Sequence, residues 1–211
     1  MSNILILGAS GKIARHVVEA LAGQGAHQAT LFLRNASKLA GLDTSGMVVI
    51  EGDVTDEQRL TQAMQGQDIV YANLTGEVDV MARTILPVMQ ASGVKRLIFV
   101  TSIGILDEVP GAFGEWNRQA IGPYLPPFRR ASDMIEASDL EYTILRPAWL
   151  TDKDEVDYGT TTRDEPFTNT EVSRKSVAAY VLSLLDDPSR DIGGNIGVHK
   201  PGSEGDKPAF V

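Results

Sequence analysis

The sequence predicts an α/β protein, a doubly wound parallel sheet in a single domain. Short apolar runs alternate with amphipathic stretches from the first residues to about residue 147. The apolar runs show no polar alternation, which is the pattern of strands buried on both faces. At 211 residues the chain suits one core of good size. Strand and helix in strict alternation imply right-handed crossovers that cover both faces of a parallel sheet.

Each element has its own justification. "NILILG" is a buried strand closed by glycine. In "KIARHVVEALAGQG", Ile13, Val17 and Leu21 recur at helical spacing, and Gly23 and Gly25 close the helix. "ATLFLR" and "MVVIEGD" are the second and third strands. "DEQRLTQAMQG" is a short helix with acids in its first turn, where the helix dipole favours them. "DIVYANL" is the fourth strand. Val78, Met81, Ile85, Val88 and Met89 then trace one helix face that ends near Gly93. "KRLIFVTS" and "EYTILRP" are the fifth and sixth strands, separated by a helix that starts near Pro127. Val177, Tyr180, Val181, Leu184 and Leu185 mark a last long helix stopped at Asp187-Pro188, and "NIGVH" is a final short strand. Residues 148–172 read as polar and irregular. Long segments of that kind in compact domains are commonly functional.

Bulk properties exclude several functions. A net charge of −9 opposes a nucleic-acid surface, which needs a basic field. The chain has no cysteine, which removes disulfides, thiolate nucleophiles and cysteine metal sites and fits a reducing, cytoplasmic setting. "MSNILILGAS" reads as a strand and turn rather than a signal peptide. No apolar run approaches membrane-spanning length. His16, His27 and His199 are far apart in sequence, and no metal site is expected.

The strongest motif is "LGASGKIA". Gly8-x-x-Gly11-x-x-Ala14 joins the first strand to the first helix. Gly8 permits the tight turn, Gly11 lets a pyrophosphate approach the backbone, and Ala14 allows close helix–strand packing. Free N–H groups at the helix start then face the phosphates. The position in the first βα unit makes this a dinucleotide-binding loop of Rossmann type, with Ser10, Lys12 and Ile13 as further candidate contacts.

The second strand ends in Arg34, with Lys38 four residues on and no acid between. A carboxylate there would bond the ribose 2′-OH of NAD, whereas an Arg suits the 2′-phosphate of NADP. NADP(H) is therefore the expected cofactor, with solvated surface cations as the alternative. Asp53 follows the third strand, where it either accepts from the adenine amino group with Val54 against the ring or shapes a turn. The fourth and fifth strands end in "YANLTG" and "VTSIG". Ligands of open α/β sheets lie outside such ends. Leu74, Thr75, Gly76 and Thr101 are candidate cofactor neighbours, and Ser102 is a candidate donor to a substrate carbonyl. Hydroxyls that merely cap loops are the alternative.

With "ILGASGKIA", "LRNASK", "GDVTD", "FVTS", "SDLEYTILRPAWL" and "SRKSVAAYVLSLLDDP" in hand, the chain resembles the atypical short-chain dehydrogenase/reductase group, the NmrA-like NAD(P)H-binding proteins. The resemblance runs nearly end to end. It implies an NADP-binding Rossmann fold, Pro147 and Ala148 beside the nicotinamide, and a substrate pocket formed in part by residues 148–172.

One departure matters. The Tyr-x-x-x-Lys pair of active relatives falls on Tyr124 to Phe128. In that pair the phenol donates a proton and the ammonium lowers its pKa. Pro126 and Pro127 move Tyr124 into a loop ahead of the helix. Arg129 or Arg130 restores charge but relays no proton. Two functions are expected from these features. One is an NADPH-dependent reductase of a small carbonyl, quinone or flavin-like acceptor, with Ser102 and Tyr124 as candidate catalytic donors. The other is a non-catalytic NADP-sensing regulatory protein. The expected partner is a small molecule, with no nucleic acid or membrane, and the chain is expected as a monomer or homodimer.

Overall fold

The computed structural model describes residues 1–22 and 25–211. Ten strands and six α-helices follow in the order β1 (Ser2–Leu7), α1 (Lys12–Ala22), β2 (His27–Leu33), β3 (Val48–Glu51), α2 (Glu57–Met64), β4 (Ile69–Ala72), α3 (Val78–Ser92), β5 (Arg96–Val100), α4 (Gly111–Ile121), α5 (Leu125–Glu136), β6 (Glu141–Pro147), β7 (Trp149–Thr151), β8 (Gly159–Thr161), β9 (Glu171–Ser173), α6 (Arg174–Asp186) and β10 (Gly194–His199). Short 3-10 turns cover Ala36–Leu39 and Gly122–Tyr124.

The main sheet has the order β3-β2-β1-β4-β5-β6-β10-β8. All pairs are parallel except β8 on β10. The chain moves outward one way from β1, returns to β1, and then moves outward the other way. That reversal leaves a crevice at the carboxyl ends of β1 and β4. Apolar residues fill both faces. One layer packs α1 and α6 against β1, β2 and β5 through Ile4, Ile6, Val17, Val181 and Leu184. The other packs α2, α3 and α5 through Leu5, Leu60, Ile85, Phe99 and Ile135.

Three expectations are corrected. Residues 148–172 are not irregular throughout. They hold β7 and β9, which pair with each other in a separate two-stranded sheet, and β8, which adds to the main sheet as an antiparallel edge. The segment is a strap pinned by backbone pairing. Helix α4 has no counterpart in the sequence reading, because Gly111 and Gly114 dilute its helical signal. Helix α5 begins at Leu125 rather than near Pro127. Its prolines fall in the first turn, where a missing N–H costs nothing because that turn has no intrahelical acceptor. The expected close of α1 at Gly23 lies outside the described residues; Gly25 has φ +60°. Among the described residues no helix is long and apolar enough to cross a membrane.

Candidate functional site

The ladder continues past the strand ends and fixes where each loop begins. Gly8 N donates to Phe32 O at 2.9 Å, Asn73 N to Leu7 O at 2.9 Å, and Gly52 N to Leu33 O at 3.0 Å. On the other side of the crevice Thr101 N donates to Leu145 O at 2.7 Å and Ala148 N to Val198 O at 2.9 Å. The loops after β1, β2, β3, β4, β5 and β6 therefore leave the sheet along one edge.

The first of these loops is close-packed. Gly8 has φ +78°, a conformation that L side chains rarely adopt. A Cβ there would lie 2.3 Å from Asn73 O, and a Cβ on Gly11 would lie 2.2 Å from Asn73 Nδ2. Both glycines thus admit the end of β4 against the loop and leave room above it.

That room is a cleft of about 250 Å³ lined by Gly8, Ser10, Gly11, Arg34, Lys38, Asp53, Val54, Leu74 and Thr75, with Phe32, Asn73 and Met81 among the residues the sequence reading did not select. Arg34 and Lys38 are both exposed at its mouth. The nearby Glu51 carboxylate is taken up by Ala36 N at 2.5 Å. Asp53 Oδ1 accepts from Thr55 N at 3.0 Å and Thr55 Oγ1 at 2.7 Å. These bonds hold the Asp53 carboxyl below its usual range, with a smaller contribution from the Arg34 charge. Asp53 is therefore a turn residue that also lines the cleft. Gly76 lies in an adjoining depression with Arg34, Asp53 and Thr75.

Asn73, Leu74 and Thr75 form a shared wall. On its far side lies a second hollow of about 340 Å³ with Ile13, Thr101, Ser102, Tyr124, Leu125, Phe128 and Leu150. Val100, Thr101, Ser102, Ile121 and Leu150 lead on into a third hollow of about 400 Å³, which adds Pro147, Ala148, Trp149, Arg174 and Phe210. The three hollows therefore form a row with shared lining residues, a trough from Arg34 to Trp149 interrupted by the Asn73–Thr75 wall.

The candidate donors differ within it. The Thr101 hydroxyl donates to Leu145 O at 2.8 Å and is buried, so it fastens β5 to β6. Ser102 is half-buried and borders both inner hollows. Among the described residues its hydroxyl has no protein partner. Tyr124 is 69% exposed and ends the 3-10 turn that abuts α5. Phe128 stands one helical turn on, where it adds apolar surface to the same hollow. Lys12 does not line the trough; its Nζ reaches Asp152 Oδ2 on the strap at 3.2 Å.

A buried network shapes the β5–α4 loop that follows Ser102. Arg146 is fully buried, with Nη1 2.6 Å from Glu108 Oε1. It also donates to Asn195 Oδ1 at 2.8 Å and Thr162 O at 3.1 Å. Glu108 in turn accepts from Gly104 N at 3.0 Å and Leu106 N at 2.9 Å. The sixth strand thereby grips the Ser102 loop, the strap and β10 together. Neither Arg146 nor Glu108 stands out in the sequence, since only the fold brings them together.

Comparison with known proteins agrees with this geometry. A family model described as NAD(P)H-binding matches residues 8–188. A solved Rossmann-fold NAD(P)-binding family protein from Shigella flexneri is 52% identical over the whole of both chains, with a TM-score of 0.87. A short-chain dehydrogenase/reductase from Veillonella parvula, solved in complex with NADP, is 28% identical over 99% of both chains, with a TM-score of 0.90. Quinone oxidoreductase 2 of Escherichia coli is 28% identical over 71% of this chain, which spans 49% of that protein's length. The chain belongs to the NAD(P)H-binding family.

Proposed function

We propose that this NAD(P)H-binding protein is an NADPH-dependent reductase of a small carbonyl, quinone or flavin-like acceptor. The carrying observation is the trough, in which a cofactor cleft adjoins, across Asn73–Thr75, a mainly apolar hollow bordered by Ser102. The cleft lined by Gly8, Ser10 and Gly11 at the start of α1 suits a pyrophosphate. Arg34 and Lys38 suit a 2′-phosphate, the guanidinium through paired hydrogen bonds and the ammonium as a point charge. A related short-chain dehydrogenase/reductase carries NADP, and a relative is named as a quinone oxidoreductase, which supports both halves of the reading.

When bound, the cofactor supplies the hydride, and the protein's share is orientation, exclusion of water and proton delivery. Asn73, Leu74 and Thr75 line both the cleft and the second hollow, and would border cofactor and acceptor alike. Pro147 and Ala148 are buried and line the third hollow, where they would give an apolar wall to a ring reaching that far. Ser102 borders both inner hollows and has a free hydroxyl among the described residues, which supports it as the donor of a hydrogen bond to an acceptor oxygen. Tyr124 lines the second hollow but has Phe128 rather than a lysine one turn on to ease release of its proton, so it would be a weak proton donor. Quinones and flavins need little more, since their reduced oxygens or nitrogens take protons readily from water.

A second reading has one observation of its own. Phe128 stands where active relatives carry a lysine, and Tyr124 faces solvent. A nucleotide-sensing protein needs neither group. The deciding experiment is NADPH consumption against a panel of quinones, aldehydes and flavins, beside NADPH binding with no acceptor present. Turnover with a quinone or flavin is expected. Tight binding with no turnover on the whole panel would replace the reductase with the sensor.

A further inference from the structure

The acceptor end of the trough carries one charged residue among its described lining residues. Arg174 opens α6 and lines the hollow with Val100, Ile103, Ile121, Trp149 and Phe210. Its side chain is 19% exposed. It donates only through Nη1, to Asp152 Oδ1 at 2.6 Å and distantly to Leu150 O at 3.5 Å. Among the described residues Nε and Nη2 have no protein partner. Asp152 does not neutralise it alone, because the other carboxylate oxygen binds Lys12. The trio Lys12, Asp152 and Arg174 therefore keeps a net positive charge beside an apolar hollow.

Trp149 lines the same hollow and is fixed in place. Trp149 Nε1 donates to Asn117 Oδ1 at 2.9 Å, and its ring lies 4.7 Å from that of Trp116. An anchored indole selects a planar partner. A guanidinium with two free donors beside it selects a carboxylate, which it can hold through paired bonds. We infer that the preferred acceptor is a planar aromatic molecule bearing a carboxylate, with Arg174 as its anion anchor. The inference rests on the reductase reading of this hollow, but its binding component can be tested without turnover.

The probes are anthraquinone-2-carboxylate and anthraquinone-2-carboxamide, which share a ring system and differ by one charge. Binding is read by quenching of tryptophan fluorescence at saturating NADP⁺, where no hydride is available. The wild type should bind the carboxylate roughly 10- to 100-fold more tightly than the amide, the range of a charge-assisted pair. Arg174→Gln should erase that ratio while leaving the amide and NADP⁺ affinities unchanged, and Arg174→Lys should keep part of it. Equal binding of the two probes by the wild type would overturn the inference even if Arg174→Gln fails to fold. So would an Arg174→Gln protein that loses both probes equally, or loses NADP⁺, since Arg174 would then serve the fold or the cofactor. NADPH oxidation is read separately. A carboxylate preference without turnover would sink the reductase and leave the anion site standing, whereas turnover without preference would do the reverse.

Discussion

The proposed preference for NADPH rests on Arg34. Arg34 is exposed beside the cleft, and Glu51, an acid that could have bonded a ribose hydroxyl, is occupied by Ala36 N–H. A charge-assisted hydrogen bond is worth about 1.5–3 kcal/mol, or roughly 10- to 150-fold in affinity. NADPH should bind more tightly than NADH by about that factor, and Arg34→Glu should remove the preference. Paired titrations of both cofactors against both proteins check this, and a preference untouched by the substitution would mark Arg34 as a surface cation. Gly11 constrains the same site from below. A valine there would push the Asn73 amide out of its position and into the cleft. Because that amide is the end of a side chain, the fold should survive while NADPH binding is lost; unchanged affinity in a folded Gly11→Val protein would contradict it. Tyr124→Phe should lower any carbonyl reduction by less than about 100-fold, the low end of general acid catalysis. A 10⁴-fold loss, about the top of that range, would make the phenol a full catalytic acid. The glycines and Arg34 were legible because turn chemistry is local. Asn73 and Arg174 were not, because their places arise from pairing of β4 with β1 and from the strap's return across the sheet.

At the scale of elements, the strap is held by buried polar chemistry. Removing Glu108 would leave Arg146 charged and unpaired in a dry site, and loss of one partner of such a pair costs about 3–5 kcal/mol. Glu108→Ala should lower the urea unfolding free energy by that amount; a loss under about 1 kcal/mol would show that water reaches Arg146. The end of β10 adds a pH dependence. Burial pushes the His199 imidazole below its ordinary value of 6.5, against the smaller opposing effects of the Lys200 backbone, Glu204 and Glu165. Among the described residues its buried Nδ1 has no hydrogen-bond partner, and its ring stands edge-on to Phe167 at 5.7 Å. The folded state therefore binds the proton less readily than the unfolded chain. Its contribution is intact above the unfolded pKa, declines as pH falls from about 6.5, and is fully lost below the depressed folded value. The melting temperature of the wild type should fall more steeply from pH 7 to 5 than that of His199→Gln, and parallel profiles would refute the assignment. Strongly periodic elements such as β1, α3 and α6 were readable from apolar spacing. Helix α4 and strand β8 were not. The first is glycine-rich, and the second is a polar edge strand, "GTT", that only pairing with β10 makes a strand.

The whole molecule sets the reaction's geometry. Because β1 and β4 are neighbours while their crossovers leave in opposite directions, the cleft beside Arg34 and the hollow beside Ser102 share Asn73, Leu74 and Thr75 in their linings. On the proposed reading, a nicotinamide held against one wall of the trough would turn a single face to the acceptor, and only one of its two C4 hydrogens would transfer. The direct test is single-turnover oxidation of (4R)- and (4S)-[4-²H]NADPH by a quinone that the wild type turns over. A primary isotope effect is expected from one labelled form and none from the other. Equal slowing by both labels, or slowing by neither, would contradict hydride transfer across this trough.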